Sequence, residues 1–498
     1  MESSLTRMKL TIGLRAVLVG LVVAGAVHAA EPPRPPNLIV ILADDLGYGD
    51  VCAYACPLGG RTPHIDALAA RGARFTQAYV TAAVCSPSRA GLLTGRYQQR
   101  FGHELNAGGV ARAHRDGLGT PASERMLPAY LKERGYATGM VGKWHLGSTE
   151  ALHPMSRGFD EFFGFLHGGN LYIEPLDREG VHFIERGADP ATRMRNPVNP
   201  ILRGREPVEE PEYLTDAFTR EAISFIDRHH QEPFFLYLAY NAPHTPLQVT
   251  DRYYQRFPHI EDQARRIYAA MVSALDDGVG AVRAALARHG LDERTLVVFT
   301  SDNGCATYTE ACSNEPLLGG KVTPFEGGTR VPFIASWQGA IAPGRVIDAP
   351  VSTLDLLPTA LAMANAAPRP SLSFTLDGES LLPILRSDDA KPGRDSFVWR
   401  LGDHYAVRSG DWKLVRFHEH PPMLFDLAAD PGERTNLASQ HAGRVDELDS
   451  IYRAWAAQMA APLWETRQDL WVPLQQILDG EPLKSVEGPG PGVLRFPI

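Results

Sequence analysis

The sequence lacks an excess of basic residues, since its 49 lysines and arginines are outnumbered by 58 aspartates and glutamates. The resulting formal net charge of −9 argues against nucleic acid as a general partner, because such binding needs a basic surplus to neutralise phosphates. It does not exclude an anionic substrate, because a cationic site can lie inside an acidic protein. The composition is otherwise ordinary for a globular protein, which excludes disordered, collagen-like and coiled-coil classes.

The chain also lacks a long apolar stretch beyond its N-terminus, so no stable membrane span is expected once the N-terminus is removed. At the N-terminus, basic residues precede an apolar stretch over residues 16–27 and a possible cleavage site at residues 27–29. These features predict a signal peptide over residues 1–29 and an exported protein, either periplasmic or secreted. An uncleaved anchor is the alternative, which the shortness of the apolar stretch disfavours.

Strand-like and helix-like patterns alternate through the first three quarters of the chain. Four apolar, mostly β-branched or aromatic runs are typical of strands buried on both faces of a parallel sheet, at residues 37–42, 137–141, 234–238 and 295–300. Helices are predicted between them, at residues 63–71 with Thr62 as N-cap, 128–134 and 261–289. The alternation predicts an α/β fold with a mainly parallel central sheet sandwiched by helices.

The pattern changes near residue 380. Short runs at residues 405–408, 412–415 and 424–427 predict strands separated by turns, and residues 442–459 predict a helix. We therefore expect a main domain over residues 37–380 and a small antiparallel α+β subdomain over residues 381–498. The last part of that subdomain, through residues 488–492, is expected to be an extended tail.

Polar residues follow each of the four predicted strands. They are Asp44 and Asp45, Lys143 and His145, His244, and Asp302 and Asn303. Ligands of parallel sheets bind beyond the carboxyl ends of the strands, so these side chains are expected at one site. The carboxylates and the amide are hard oxygen ligands, which suit Ca²⁺ or Mg²⁺ better than zinc.

The segment Cys85-Ser86-Pro87-Ser88-Arg89 has the form Cys-x-Pro-x-Arg and precedes Leu-Thr-Gly-Arg at residues 93–96. A lone cysteine is usually a small buried apolar residue. This longer block, however, resembles the core signature of the sulfatase family, the arylsulfatase-like, formylglycine-dependent and calcium-binding enzymes of the alkaline phosphatase superfamily. Other blocks that resemble the family are Gly-Lys-Trp-His-Leu-Gly at 142–147, Ala-Pro-His-Thr-Pro at 242–246 and Glu-Gly-Gly-Thr-Arg-Val-Pro at 326–332.

The resemblance extends from residue 37 to about residue 438 and implies an alkaline-phosphatase-like catalytic domain over residues 37–380. It implies hydrolysis of a sulfate monoester, either an aryl sulfate or a sulfated carbohydrate, to an alcohol and inorganic sulfate. A maturation enzyme would oxidise Cys85 to formylglycine. One hydroxyl of the hydrated aldehyde would attack sulfur, and the other would allow elimination of sulfate.

The resemblance also implies roles for individual residues. Calcium, with magnesium less expected, would be held by Asp44, Asp45, Asp302, Asn303 and the modified Cys85. Arg89 would hold the diol oxygen or the metal-binding acids, and His145 would be the base at the diol. The residues that hold the sulfate oxygens and protonate the leaving oxygen would be Lys143, His244 and Lys321. His167 would line the substrate site, whereas Glu326 and Arg330 would be structural partners.

With Cys85 modified, an even number of cysteines remains, namely Cys52, Cys56, Cys305 and Cys312. In an oxidising compartment these could form two disulfides, and free buried thiols are the alternative. Their spacing does not fix the connectivity.

Two other functions compete with sulfate ester hydrolysis. A phosphonate monoester or phosphodiester hydrolase can share the formylglycine device, but its second metal motif is typically Asp-His, whereas Asp302-Asn303 favours calcium. An inactive protein that binds sulfated glycans is disfavoured because each expected catalytic group is present. The natural substrate, exo or endo action and the oligomeric state stay open. Residues 171–212 match the family poorly and are expected to form loops over the site mouth that carry specificity.

Overall fold

Strands and helices alternate in the described part of the chain, which in this computed structural model comprises residues 34–57, 59–184, 195–364, 375–465, 469–486, 488, 490 and 492–497. The predicted signal peptide lies outside these residues. The strands are β1 (Asn37–Ala43), β2 (Ala73–Tyr79), β3 (Ala137–Lys143), β4 (Glu161–Phe165), β5 (Val181–Ile184), β6 (Leu202–Arg203), β7 (Glu206–Pro207), β8 (Phe234–Ala239), β9 (Leu247–Thr250), β10 (Thr295–Ser301), β11 (Arg330–Ser336), β12 (Arg345–Ile347), β13 (Val351–Ser352), β14 (Ser396–Leu401), β15 (His404–Ser409), β16 (Trp412–Arg416), β17 (Met423–Asp426), β18 (Asp469–Pro473) and β19 (Val493–Pro497). The α-helices are α1 (Pro63–Ala70), α2 (Cys85–Thr94), α3 (Val110–Arg115), α4 (Leu127–Lys132), α5 (Leu214–His229), α6 (Asp251–Tyr254), α7 (Gln263–Arg288), α8 (Glu326–Thr329), α9 (Leu356–Met363), α10 (Leu382–Arg386), α11 (Ala442–Ala456) and α12 (Leu474–Leu478).

The central sheet has the strand order β12-β2-β11-β10-β1-β8-β3-β4-β6-β7, with β13 also paired to β2. From β10 to β4 all neighbouring strands are parallel. On one side of this parallel centre β11 runs antiparallel to β10 and β2, and on the other β6 runs antiparallel to β4. The carboxyl ends of β10, β1, β8 and β3 therefore lie side by side at one edge of the sheet.

Both faces of the parallel centre are buried, as its apolar sequence predicts. Along β1, Ile39 and Ile41 pack into a core shared with α5 and α7, while Val40 and Leu42 pack into a second core shared with α2 and α9. Fully burying one such side chain contributes roughly 1.5–3 kcal/mol, so a strand buried on both faces is strongly anchored. The predicted α/β fold, with helices on both sides of a mainly parallel sheet, is confirmed.

The start of α1 differs from the prediction in how its first N–H groups are satisfied. The helix begins at Pro63 as expected, but the Thr62 side chain makes no cap bond to it. The Thr62 hydroxyl instead accepts the N–H of Cys52 at 2.9 Å. The carboxylate of Asp276, on α7, accepts the N–H of Ile65 at 2.8 Å, so a distant helix supplies the acceptor that the predicted N-cap does not.

The C-terminal region contains a four-stranded antiparallel sheet of order β14-β15-β16-β17. The sequence predicts β15, β16, β17 and α11, but it misses β14. The expected extended tail is wrong for residues 493–497, because β19 pairs antiparallel with β18. Leu494 and Phe496 alternate with Arg495 along β19 and are both buried, which gives this strand a reason to pack. The predicted antiparallel C-terminal region is confirmed by the four-stranded sheet.

Two disulfides, Cys52–Cys56 and Cys305–Cys312, resolve the pairing that the sequence leaves open. Cys85 is a buried free thiol. Within the described residues, no helix combines the length and apolarity that crossing a membrane requires.

Candidate active site

The carboxyl edge of the parallel strands brings together residues that are far apart in sequence. Each strand delivers its own residues: Asp44 and Asp45 after β1, Asp302 and Asn303 after β10, His244 after β8, and Lys143 at the end of β3. Backbone bonds fix this edge, because the Asp44 N–H donates to the Ala242 carbonyl and the Asp302 N–H to the Ala43 carbonyl, both at 3.1 Å. The positions of these side chains are thus set by sheet hydrogen bonding.

Cys85 is the first residue of α2 and lies against the two aspartates that follow β1. Its Sγ atom is 3.4 Å from Asp44 Oδ1 and 3.8 Å from Asp45 Oδ1. The residue is only 1% exposed, and burial raises the pKa of the thiol well above its ordinary value. An unmodified Cys85 is therefore a protonated thiol and a poor nucleophile at neutral pH.

Arg89 lies one turn after Cys85 on α2 and holds acids and backbone together. Its Nε and Nη2 atoms are both 2.8 Å from Asp302 Oδ2, and its Nη1 donates to the Lys143 carbonyl at 2.7 Å. Its Nη2 is also 3.6 Å from Asp44 Oδ2. Of the two roles implied by the family resemblance, these contacts match the holding of the acids.

Two buried ammonium groups contact the paired aspartates. Lys143 Nζ donates to Asp44 Oδ2 at 2.6 Å, and Lys321 Nζ donates to Asp45 Oδ2 at 2.8 Å. Burial alone would raise the pKa of each aspartate, but Lys143 holds the pKa of Asp44, and Lys321 that of Asp45, below the ordinary value. Both carboxylates therefore stay ionised at neutral pH.

The oxygen atoms around Cys85 fit a hard divalent cation. One ligand atom from each of Asp44, Asp45, Cys85 and His244 lies within 4.8 Å of the others. Asn303 donates its amide to Asp45 Oδ1 at 2.7 Å, while its buried Oδ1 has no hydrogen-bond partner. A buried acceptor without a donor is costly, and a cation would satisfy it. Carboxylate and amide oxygens are the donor set that calcium and magnesium prefer.

A cavity of about 430 Å³ opens above this cluster. It reaches four of the predicted site residues, Cys85, His145, His244 and Lys321. The ring of His244 is oriented by its Nδ1–H, which donates to the Thr245 carbonyl at 2.5 Å, so that Nε2 lies 3.7 Å from Asp45 Oδ2. Burial lowers the pKa of His244 to about 4. Asp44, Asp302, Arg89 and Lys143 lie beneath the cavity floor.

His145 is placed by a hydrogen-bond chain that sequence reasoning misses. The Ser86 hydroxyl donates to the His145 carbonyl at 2.5 Å, and it accepts from His103 Nε2 at 2.7 Å. His103 Nδ1 in turn accepts the hydroxyl of Thr120 at 2.9 Å. Burial lowers the pKa of His103 to about 3, so the chain keeps one protonation state across neutral pH. The only sequence signal for it is that Ser86 lies inside the Cys-x-Pro-x-Arg segment.

The ring of His145 requires a close neighbour to be glycine, and its backbone conformation is uncommon. His145 has a φ of +63°, a region that non-glycine residues seldom adopt, and its Nδ1 has no hydrogen-bond partner. A Cβ atom at Gly168 would lie 2.9 Å from His145 Nε2, so a side chain there would displace the ring. Burial and the charge of Lys143 lower the pKa of His145 well below its ordinary value.

His167 lies next to this glycine but not in the wall of the cavity. It is buried, its N–H donates to Asn199 Oδ1 at 3.2 Å, and its Nε2 has no partner. The cavity is lined instead by the neighbouring Gly168 and Gly169. A substrate contact by His167 stays a prediction.

Comparison with known proteins decides the family. Residues 36–366 match the family described as "Sulfatase", and residues 320–448 match the family described as "N-sulphoglucosamine sulphohydrolase, C-terminal". The chain belongs to the sulfatase family. This confirms the family predicted from the Cys85 segment, and the protein is a sulfuric ester hydrolase.

Named sulfatases match along most of their length. Mouse N-acetylgalactosamine-6-sulfatase is 34% identical, with 84% of each chain covered. Human arylsulfatase A is 36% identical, with 87% of this chain and 88% of the relative covered. The crystal structure of Ps i-CgsB in complex with k-i-k-neocarrahexaose has a TM-score of 0.78 at 36% identity, covering 86% of this sulfatase and 95% of that chain.

Proposed function

We propose that this sulfatase hydrolyses a sulfate monoester carried by a carbohydrate, with formylglycine made from Cys85 and with calcium as its metal. The observation that carries the proposal is the position of Cys85 at the floor of the cavity. Its Sγ contacts two ionised aspartates, and Lys321 and His244 line the same cavity. A nucleophile precursor, a cation site and donors for an anionic ester are thus within one small volume.

The residues proposed to hold calcium are Asp44, Asp45, Asp302, Asn303 and residue 85 in its modified form. The unpartnered Oδ1 of Asn303 supports this assignment, because it is a buried acceptor on a side chain whose amide nitrogen donates to Asp45. When bound, calcium would supply Lewis acidity and formylglycine would supply a hydroxyl nucleophile.

The remaining residues bind, orient and move protons. Lys143, Lys321 and His244 surround the two aspartates and are proposed to hold the sulfate oxygens, the lysines as ammonium donors and His244 from Nε2 once a bound anionic ester has raised the proton affinity of that atom. The leaving oxygen is proposed to receive its proton from Lys321, or from His244 in that protonated form, since both line the cavity. His145 is proposed to accept a proton at Nδ1, which has no hydrogen-bond partner. Arg89 keeps Asp302 and Asp44 in place beneath them.

A carbohydrate substrate is supported by the names of two relatives. One is N-acetylgalactosamine-6-sulfatase, and the other is crystallised with k-i-k-neocarrahexaose, whose name is that of a sugar oligomer. A cavity of about 430 Å³ lies within the range of ordinary small-molecule sites and suits one sugar unit better than a polymer.

Export to the periplasm or medium is part of the proposal. The predicted signal at residues 1–29 motivates it, and the disulfides Cys52–Cys56 and Cys305–Cys312 support it because such bonds persist in oxidising compartments.

The test compares the wild-type chain with Cys85→Ala, each coexpressed with a formylglycine-generating enzyme. Matched sulfate and phosphonate esters of the same phenol and a 6-sulfated hexosamine are assayed together. We expect wild-type turnover of the sulfate esters, with the sugar preferred, and a loss of at least about 10⁴-fold in kcat for Cys85→Ala. Full activity of Cys85→Ala, or faster cleavage of the phosphonate, would overturn the proposal. Ser88→Ala is the matched control, because the buried Ser88 hydroxyl on the same helix has no hydrogen-bond partner.

A further inference from the structure

A second and larger cavity lies in the C-terminal region. It has a volume of about 750 Å³ and lies between the β14–β15 turn, the segment after β16, and the β18–β19 pair. Its lining includes two tryptophans, three histidines and several charged residues. We refer to it as the C-terminal cleft and define it by Asp403, His404, His418, Trp464, Trp471 and Arg495.

The cleft has a wall that is fixed by hydrogen bonds. Trp471 on β18 and Arg495 on β19 are directly paired across the strands, so their side chains lie on the same face. His404 Nε2–H donates to the Arg495 carbonyl at 2.8 Å, and His404 Nδ1 accepts the His418 N–H at 3.4 Å. These bonds attach β19 to the four-stranded sheet, so the cleft is built from secondary structure.

The cleft adjoins the catalytic cavity through two chain segments. Leu105 lines the cleft, and the next residue, Asn106, lines the catalytic cavity. Similarly, Trp471 lines the cleft, and the residue before it, Leu470, lines the catalytic cavity. Asn106 also links the two by hydrogen bonds. Its carbonyl accepts from Trp464 Nε1 at 3.0 Å, and its Oδ1 accepts from the Ser86 N–H at 3.1 Å. Ser86 follows Cys85, so the cleft begins a few residues from the nucleophile.

The side chains of the cleft suit sugar hydroxyls and ring faces. Trp471 is partly exposed and offers an aromatic face, on which the apolar side of a pyranose can pack. Its charged groups are the carboxylates Asp403, Glu419 and Glu465, with Arg495 as the cation. This excess of negative charge disfavours a sulfate group there, whereas carboxylates accept hydrogen bonds from hydroxyls.

We propose that the C-terminal cleft binds neutral sugar units of an oligosaccharide whose sulfated unit occupies the catalytic cavity. The inference rests on the proposed function and deepens it, because it makes the substrate an oligosaccharide and not an isolated sulfated sugar. The catalytic cavity recognises the sulfate-bearing unit, and the cleft recognises the units attached to it. Chain length therefore changes KM more than kcat.

The experiment uses the full wild-type chain with formylglycine confirmed by mass spectrometry. A size series of oligosaccharides from monosaccharide to hexasaccharide, each with a single sulfate on the terminal unit, is assayed against Trp471→Ala and Asp403→Ala. Asp403 is exposed in the β14–β15 turn, so its variant tests the cleft even if Trp471→Ala does not fold. Trp412→Ala is the control, since Trp412 is a partly exposed tryptophan of the four-stranded C-terminal sheet that does not line the cleft.

We expect the wild-type KM to fall about 10-fold between the monosaccharide and the tetrasaccharide, the effect of about 1.4 kcal/mol of added binding. Each cleft variant should lose most of this gain while its kcat/KM on the monosaccharide stays within about two-fold, and Trp412→Ala should keep the gain. A wild-type KM that is independent of length, or a gain that survives both cleft variants, would overturn the inference and leave the proposed function intact. Failure of the proposed function is distinct, because then no sulfate ester of any length is turned over. In that case the calorimetric Kd values of Cys85→Ala for the sulfated monosaccharide and the sulfated tetrasaccharide test the cleft, and equal affinity for the two would overturn the inference.

Discussion

Two clusters of buried charged residues lie in this sulfatase, and they differ in what surrounds them. The catalytic cluster lies under the 430 Å³ cavity and consists of Asp44, Asp45, Asp302, Arg89, Lys143 and Lys321. The junction cluster lies where the C-terminal sheet meets the main sheet and consists of Glu326, Glu433, Lys413, Arg330 and Arg408. Both contain carboxylates paired with cations at hydrogen-bond distance.

In the junction cluster the charged groups pair with one another and are shielded from solvent. Lys413 Nζ lies 2.8 Å from Glu326 Oε1 and 3.0 Å from Glu433 Oε1, and all three side chains are fully buried. Glu433 Oε2 accepts the Glu326 N–H at 2.6 Å, and Tyr79 donates its hydroxyl to Glu326 Oε2 at 2.7 Å. None of these groups lines a described cavity, so their charges serve the packing of one sheet on the other.

In the catalytic cluster, by contrast, part of the site is accessible from a cavity. Lys321, His244 and Cys85 reach the cavity, and Asn303 keeps a buried oxygen without a partner. The comparison teaches that buried charge alone does not mark a functional site. What distinguishes the site is that several of its polar and charged side chains line a space large enough for a ligand.

The strongest test of this comparison removes one carboxylate charge from each cluster. We expect Asp45→Asn to lose the calcium proposed to bind there and to lower kcat/KM about 10³-fold, because a proposed charged ligand and the partner of Lys321 are lost together. Glu326→Gln, the matched change in the junction cluster, should keep the metal. Metal content measured by atomic emission after gel filtration gives the comparison, and calcium retained by Asp45→Asn would contradict it.

Removing one cation from each cluster is expected to lower mainly the stability in the junction cluster and mainly the activity in the catalytic cluster. Lys413→Met leaves two fully buried carboxylates beside each other, so the free energy of unfolding should fall by about 3–5 kcal/mol. Lys321→Met should cost less stability, because Lys321 lines the cavity and water from the cavity can replace its ammonium beside Asp45, yet it should lose most of the activity. Denaturant unfolding and turnover per folded molecule measure the two effects. Equal loss of stability in both variants would show that the clusters do not differ in this way.

A smaller effect is expected from the hydrogen-bond chain that places His145. Ser86→Ala removes the donor to the His145 carbonyl and leaves His103 Nε2 buried without an acceptor. We expect kcat to fall about 10-fold with KM nearly unchanged, roughly the 1.4 kcal/mol of one hydrogen bond. Ser88→Ala should be close to wild type. The peptide mass must show that residue 85 is equally modified in both variants, and an unchanged kcat in Ser86→Ala would remove this chain from the mechanism.

The smallest effect concerns pH. Burial raises the pKa of Glu433 to about 7, although Lys413 opposes the shift. Because this value lies above that of the unfolded chain, the folded state binds the extra proton, and its stabilisation is complete below the unfolded pKa. It is lost as pH rises towards 7, so thermal midpoints should fall between about pH 5 and pH 8. In Glu433→Gln this slope should be shallower, and an equal slope in both proteins would contradict the assignment.

The sequence predicts the parts of the fold and site that depend on local pattern. Runs such as Ile39–Leu42 indicate strands buried on both faces, and the polar residues after them, such as Asp44 and Asp302, lie at the edge where parallel strands place them. The Cys85 segment identifies the family before any contact is known. These features can be read from periodicity and motif because each depends on neighbours in the chain.

The parts that sequence reasoning misses depend on distant contacts. The acceptor for the start of α1 is Asp276 and not Thr62, and Glu326, on α8, is paired with Lys413, on β16 of the C-terminal sheet. The pairing of β18 with β19 brings Trp471 opposite Arg495 and creates the cleft, whereas the sequence alone suggests an extended tail. No local pattern specifies which distant residue will satisfy a buried group.

The most direct test of the account is the mass of the tryptic peptide 75–89, which contains Cys85, from protein purified from its own host. The account predicts a peptide in which residue 85 has lost sulfur and two hydrogens and gained one oxygen, as the aldehyde, or carries one further water, as the hydrate. A peptide with an intact thiol, from protein that still hydrolyses sulfate esters, would contradict the claim that Cys85 becomes the nucleophile.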